Sequence, residues 1–101
     1  MRLCVIIQLK SDSTLARVPQ IVTILQRHAD KNEMVFRSND GLHFGWFLRT
    51  DKPERVILSS VRDSESFVNG DSILIFEIGQ GLDGDGFNRQ WTWLQRTAKD
   101  G

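Results

Sequence analysis

The sequence predicts a single α+β domain in which helices cover a four-stranded antiparallel sheet. Three observations predict it. Apolar residues alternate along the opening segment, as in a strand, and the spacing then changes to that of an amphipathic helix. Two short runs that contain most of the phenylalanine and tryptophan of the first half flank an Asn-Asp-Gly turn, as in a β-hairpin. The length of 101 residues suits one hydrophobic core and leaves no room for a second domain.

The composition is that of an ordinary globular protein without a dominant charge. Thirteen basic residues balance thirteen acidic ones, so no long-range field attracts nucleic acid or a membrane surface. The single cysteine, Cys4, has no second thiol for an intrachain disulfide, and the opening apolar run is too short for a signal peptide or a membrane helix. We therefore expect a cytoplasmic protein without a cofactor and without a membrane partner.

The first half of the chain is predicted to form a strand, a helix and a hairpin. The first strand covers Arg2 to Lys10 and has one wholly apolar face. A helix follows from Leu15 to Ala29, where apolar residues recur at three and four positions. The hairpin joins a strand over Glu33 to Ser38 to a strand over Leu42 to Arg49 through the turn Asn39-Asp40-Gly41.

The second half is predicted to form a helix, a strand and a terminal helix. Glu54 to Arg62 follows a proline suited to a first helical turn, although its Val-Ile-Leu content would also suit a strand. Asp71 to Gly79 is predicted to be the last strand, with apolar residues on both faces. After a glycine-rich loop, Phe87 to Ala98 has the spacing of a short helix, and a strand over Trp91 to Trp93 is the alternative.

Taken together, the elements follow the order strand, helix, strand, strand, helix, strand. The compact arrangement that keeps its connections right-handed is the ferredoxin-like βαββαβ sandwich, with two helices on one face of the sheet. We expect this domain over residues 1–79 and a C-terminal extension over residues 80–101 that packs on the domain or on a partner subunit. In this topology the last strand is an edge, and an apolar edge strand requires cover.

The edge strand and the extension supply the candidate interface residues. They are Ile73, Ile75, Phe87, Trp91, Trp93 and Leu94. The function they favour is that of a small, non-enzymatic, homodimeric interaction or regulatory protein. An alternative is a sensor that holds a small ligand on a sheet face or in a dimer cleft.

The third strand carries a second set of candidates. The run His43-Phe44-Gly45-Trp46-Phe47 resembles the aromatic strand with which RNA-recognition motifs stack bases, a resemblance that implies exposed rings. The candidates for a ligand or a nucleic acid are His43, Phe44, Trp46 and Arg49. A net charge of zero and a first strand without aromatic residues favour core packing of the rings instead.

No catalytic or metal-binding residue is predicted from a motif. The two histidines, His28 and His43, lie outside any recognisable catalytic pattern. The loop Gly79 to Gly86 has neither the spacing of a nucleotide-binding loop nor the ligands of a calcium loop. A flexible connection is the expected role of this loop.

The order of elements over Arg2 to Gly79 resembles the small CRISPR-associated adaptation-nuclease family and related toxin-like proteins, and Asp71 to Phe76 is similar to the final strand of that family. The resemblance implies a ferredoxin-like homodimer to which a late strand and a C-terminal extension contribute. It also implies metal-dependent nuclease activity as an alternative function. Enzymatic members place an aspartate near the end of the first strand, where this chain has Gln8, and Asp12 comes later. An amide is a poorer magnesium ligand than a carboxylate.

Overall fold

The computed structural model describes residues 1–10, 17–79, 81 and 85–97. Within these residues, strands and helices follow in the order strand, helix, strand, strand, helix, strand, helix. The elements are β1 (Arg2–Gln8), α1 (Arg17–Arg27), β2 (Lys31–Arg37), β3 (His43–Arg49), α2 (Glu54–Arg62), β4 (Ser72–Glu77) and α3 (Asn88–Thr97). The predicted helices over residues 54–62 and 87–98 are confirmed within the described part of the chain, which ends at residue 97.

The four strands form one open sheet in the order β2-β3-β1-β4, and every neighbouring pair is antiparallel. In the centre of the sheet, Cys4 of β1 lies opposite Phe47 of β3 on one side and Phe76 of β4 on the other. The predicted α+β class and antiparallel sheet are confirmed. The prediction that the last strand lies at an edge is also confirmed, because β4 pairs with β1 alone in this sheet.

The first face of the sheet carries the main core. Alternation along β1 directs Leu3, Val5 and Ile7 to this face, where all three are fully buried. The apolar stripes of α1 and α2 pack on them, because residues three and four apart share one side of a helix. The buried members of this cluster include Val18, Ile21, Leu25, Phe44, Trp46, Leu48, Ile57 and Val61.

The second face of the sheet is partly covered by α3. Trp93 and Leu94 form a smaller buried cluster with Cys4 and Ile78. A helix on this face adds a third layer to the two-layer arrangement expected for the domain. No helix in the described part of the chain has the length and the apolar run that a membrane crossing requires.

Asp71 fixes the position at which β4 begins. Its carboxylate accepts hydrogen bonds from the guanidinium of Arg17 at 2.5 Å and from the backbone N–H groups of Lys10 and Val68, each at 2.9 Å. Burial alone would raise the pKa of Asp71, but these hydrogen bonds outweigh it and lower the pKa to about 2. One ionised side chain thus joins the end of the first strand, the start of α1 and the turn before β4.

Candidate functional site

Two faces and one free edge of β4 define the candidate site. Ile73 and Ile75 are half-buried and pack on the core beneath α2. Leu74 and Phe76 point to the opposite face, where 58% and 45% of their surfaces are exposed. Alternation along the strand therefore buries one pair of apolar side chains and leaves the other pair open to solvent.

The outer edge of β4 carries main-chain N–H and C=O groups that do not form hydrogen bonds with β1. The N–H of Ile78 donates to the carbonyl oxygen of Arg2 at 2.8 Å. Because hydrogen-bonded pairs alternate along an antiparallel ladder, Phe76 and Leu74 also direct their N–H and C=O groups toward β1. The N–H and C=O groups of the intervening residues, Ile73, Ile75 and Glu77, consequently point outward. Among the described residues, none forms a hydrogen bond with these outward groups.

A groove of about 400 Å³ runs along this edge between β4 and α2. The groove is mainly apolar, since Ile73, Leu74 and Ile75 line it together with Leu58 of α2. Glu54 and Arg55, at the start of α2, also line the groove and place opposite charges beside the apolar side chains. The groove has the apolar lining and charged rim typical of a protein contact surface.

The other edge of the sheet is protected. β2 carries the charged residues Lys31, Glu33 and Arg37, and its pairing with β3 is interrupted by an irregularity between Met34 and Phe36. Charged side chains and bulges are the devices by which edge strands avoid further pairing.

The N-terminal end of α3 adds further cover to β2. The side-chain amide of Gln90 donates to the main-chain oxygen of Met34 at 2.8 Å, and Arg89 forms a salt bridge of 3.2 Å with Glu33. In contrast, β4 has the sequence Ser-Ile-Leu-Ile-Phe-Glu, with no lysine, no proline and no register shift in its pairing with β1. The two edges thus differ in their readiness to pair with another strand.

The interface candidates of the extension fall into two groups. Trp93 and Leu94 are buried against the sheet of their own chain, and the ring of Trp93 lies 5.6 Å from that of Phe47. Phe87 and Trp91 remain 59% and 37% exposed. Trp93 and Leu94 therefore pack within their own chain, whereas Phe87 and Trp91 lie at the surface.

The predicted ligand and nucleic-acid candidates do not form one surface. Phe44 and Trp46 are buried in the main core, so the interpretation of these rings as core residues is confirmed. His43 and Arg49 lie at opposite ends of β3. A strand of this length holds them about 20 Å apart. An RNA-recognition surface needs exposed stacking rings, which Phe44 and Trp46 do not supply.

A polar cavity of about 460 Å³ lies at the Arg49 end of the sheet. Asp30 and Thr50 are among the residues that line it, with His28. The guanidinium of Arg49 forms two-pronged hydrogen bonds with Asp30, and this pairing lowers the pKa of the Asp30 carboxyl. Arg49 is therefore already engaged by a carboxylate in this cavity.

The side chains that could act as nucleophiles or metal ligands are separated from one another. Burial raises the pKa of the Cys4 thiol to about 11, which keeps it protonated and poorly nucleophilic at neutral pH. Gln8 ends β1 opposite His43 and Ser72, whereas Asp12 lies outside the described residues. Within the described part of the chain, no three histidine, cysteine, aspartate or glutamate side chains are grouped so that they could hold a metal ion.

The sequence pattern predicts Ile73 and Ile75 as interface residues and does not single out Leu74 and Phe76. The alternation of apolar side chains along the strand places the two pairs on opposite faces. Which pair is more exposed depends on the positions of α2 and α3. Comparisons with known protein families, with curated proteins and with solved structures find no significant match. The geometry of the described residues is therefore the basis for a functional proposal.

Proposed function

We propose that this protein is a small, non-enzymatic interaction or regulatory protein that acts as a homodimer in the cytoplasm. The observation that carries the proposal is the edge of β4, whose outward main-chain groups bond to none of the described residues and which bears the exposed side chains of Leu74 and Phe76. Unpaired strand edges readily accept a further strand, and soluble monomers usually protect them. A second copy of the chain would supply that strand.

We assign residues 1–79 to the ferredoxin-like arrangement. The sheet order β2-β3-β1-β4 and the placement of α1 and α2 on one face support this assignment. In this arrangement α3 is an addition that covers part of the second face. Part of that face remains uncovered beside β4, where Leu74 and Phe76 are exposed.

The charges of the groove favour a second copy as the partner. Glu54 and Arg55 present opposite charges in the same groove. In a twofold-symmetric dimer each patch meets its own copy, so a surface that contains both signs can be its own complement. The net charge of zero also removes repulsion between copies.

The chemistry of the described residues supports a non-enzymatic role. The raised pKa of Cys4 disfavours a thiolate, and the carboxylate of Asp71 is saturated by hydrogen bonds that hold the fold together. Arg49 is paired with Asp30. Cys4 is buried and protonated, and Asp71 and Arg49 have partners within the fold. The positions of these three groups are thus explained without a catalytic role.

The test is the mass of the purified chain in solution, measured by light scattering over a micromolar concentration range. We expect a mass approaching twice that of the 11.6 kDa chain as the concentration rises. A mass that stays at that of one chain, even when the protein concentration is raised about a hundredfold, would overturn the homodimer. Incubation with RNA and DNA in the presence of magnesium or manganese tests the non-enzymatic part, and cleavage that co-purifies with the chain would contradict it.

A further inference from the structure

The proposed homodimer leaves the mode of pairing open, and the main-chain directions of β4 restrict it. We propose, on the basis of that function, that two copies join β4 to β4 in antiparallel register, with Ile75 directly opposite Ile75 of the partner subunit at the twofold axis. The two four-stranded sheets then become one sheet of eight strands. The partner is a second copy of this chain, and the contact is edge to edge.

The direction of the hydrogen-bonding groups allows this pairing without any change in β4. Ile73, Ile75 and Glu77 direct their N–H and C=O groups away from β1, as required by the bond from Ile78 to Arg2. Ile75 opposite its own copy exchanges two hydrogen bonds. Each of the two pairings of Ile73 with Glu77 of the partner subunit exchanges two more.

Side-chain direction restricts the possible registers. In a continuous sheet, residues directly opposite each other lie on the same face. Leu74 and Phe76 share the second face, whereas Ile73 and Ile75 share the first. A twofold axis perpendicular to the sheet must therefore pass through a residue pair, and the central candidates are the pairs at positions 74, 75 and 76.

The register centred on Ile75 makes the best use of the exposed side chains. It places Leu74 opposite Phe76 of the partner subunit, and the symmetry repeats that pair. Apolar side chains directly opposite each other on one face are close enough to remove each other's surface from water. Both of the exposed apolar side chains of β4 thereby gain cover, and neither of them is opposite a charge.

The two neighbouring registers are less favourable. A register centred on Leu74 places Glu77 opposite Asp71 of the partner subunit, a residue that precedes β4 and whose carboxylate is already bound by Arg17, so Glu77 gains no partner within the strand. It also pairs the ring of Phe76 with the hydroxyl of Ser72. A register centred on Phe76 pairs Leu74 with Ile78, which is already buried beneath α3 in its own chain.

Single cysteines placed along β4 distinguish the registers. In a Cys4→Ala background, we would prepare Leu74→Cys, Ile75→Cys and Phe76→Cys and oxidise each variant alone and in mixtures. The proposed register holds positions 74 and 76 of different subunits at about 4.5 Å between Cα atoms, whereas like positions are diagonal neighbours roughly 7–8 Å apart. Disulfides need Cα atoms closer than about 7 Å.

We expect Ile75→Cys to cross-link with itself, and we expect Leu74→Cys and Phe76→Cys to cross-link mainly with each other. If Leu74→Cys or Phe76→Cys cross-links with itself as efficiently as the two variants cross-link with each other in the mixture, the proposed register is wrong. Sedimentation of the reduced variants, with circular dichroism to check folding, separates the two proposals. Dimers with another cross-linking pattern contradict only the register, whereas monomers of the wild-type chain contradict the homodimer as well.

Discussion

The ring of Trp93 in α3 packs against the ring of Phe47 in β3, with the centroids 5.6 Å apart and the planes inclined by 36°. The contact joins the C-terminal helix to the centre of the sheet, because β3 pairs with both β1 and β2. Cys4, Leu94 and Ile78 complete the buried cluster around it. In consequence, α3 is a part of the fold, and the second face remains exposed on the side near β4, where Leu74 and Phe76 lie.

Replacing Trp93 with alanine should therefore destabilise the whole domain. The change removes a buried aromatic side chain and leaves a cavity, and such substitutions cost about 3–5 kcal/mol of unfolding free energy. Trp91→Ala is the matched control, because Trp91 lies on the same helix and is 37% exposed, and we expect it to cost less than about 1 kcal/mol. Urea unfolding followed by circular dichroism measures both values. Equal effects would contradict the assignment of Trp93 to an intrachain core.

The buried side chain of Arg2 should hold the C-terminal half of α3. Its guanidinium donates to the main-chain oxygen of Leu94 at 3.0 Å and to that of Gly79 at 3.2 Å. The last four carbonyl groups of a helix lack partners in the helix, and a cation near them is favourable. Arg2→Met should therefore cost about 1–3 kcal/mol and should speed amide exchange in α3 more than in α1. Arg27→Met, in the last turn of α1, is the control, and an equal effect from it would refute this role of Arg2.

Stability should fall in acid as Asp71 becomes protonated. The folded-state pKa is lowered to about 2 from an ordinary value of 3.8, so the folded state binds the proton less readily than the unfolded state. The stabilisation is fully present above the ordinary value and is lost as the pH falls through about 2. A shift of this size corresponds to roughly 2 kcal/mol.

Asp71→Asn tests this contribution. We expect the difference in unfolding free energy between wild type and variant to be large near neutral pH and to shrink between about pH 5 and pH 2. Asp63→Asn is a suitable control, because the carboxylate of Asp63 is mostly exposed. A difference that stays constant down to about pH 2 would show that the ionised form of Asp71 does not stabilise the fold.

Substitution of the exposed ring of β4 should weaken the dimer without unfolding the chain. Phe76→Lys places a charge on the edge strand and removes one side chain from each of two symmetry-related contacts, so we expect the dissociation constant to rise about tenfold or more. Phe36→Lys is the matched control, because Phe36 is 40% exposed and lies on β2, at the other edge of the sheet. Analytical ultracentrifugation measures both variants. An equal loss of affinity from Phe36→Lys would locate the contact elsewhere.

The sequence predicts most of the fold because its apolar spacing is clear. The alternation in β1 identifies the core face, and the spacing of Val18, Ile21 and Leu25 identifies α1. The aromatic residues of β3 were harder to interpret from sequence. Phe44 and Trp46 are core residues whereas Phe47 faces α3, and only the pairing of β3 with its neighbours fixes which face each ring occupies.

The candidate site was only partly predictable. The apolar content of both faces of β4 predicted that the strand needs cover, and the order of elements predicted that it is an edge. The amphipathic pattern of α3 predicted a helix but contained no information on which part of the sheet it covers. The exposure of Leu74 and Phe76 follows from that placement, which depends on contacts between residues far apart in the chain.

The most direct test of the central claim is amide exchange in β4 of the wild-type chain, measured by NMR at several protein concentrations. The main-chain N–H groups of Ile73, Ile75 and Glu77 point outward, whereas those of Leu74 and Phe76 are already bonded to β1. We predict that exchange at Ile73, Ile75 and Glu77 slows as the concentration rises through the range of dimerisation, while exchange at Leu74 and Phe76 changes far less. Fast exchange at the three outward amides at every concentration, in a sample whose mass is that of a dimer, would contradict pairing through β4.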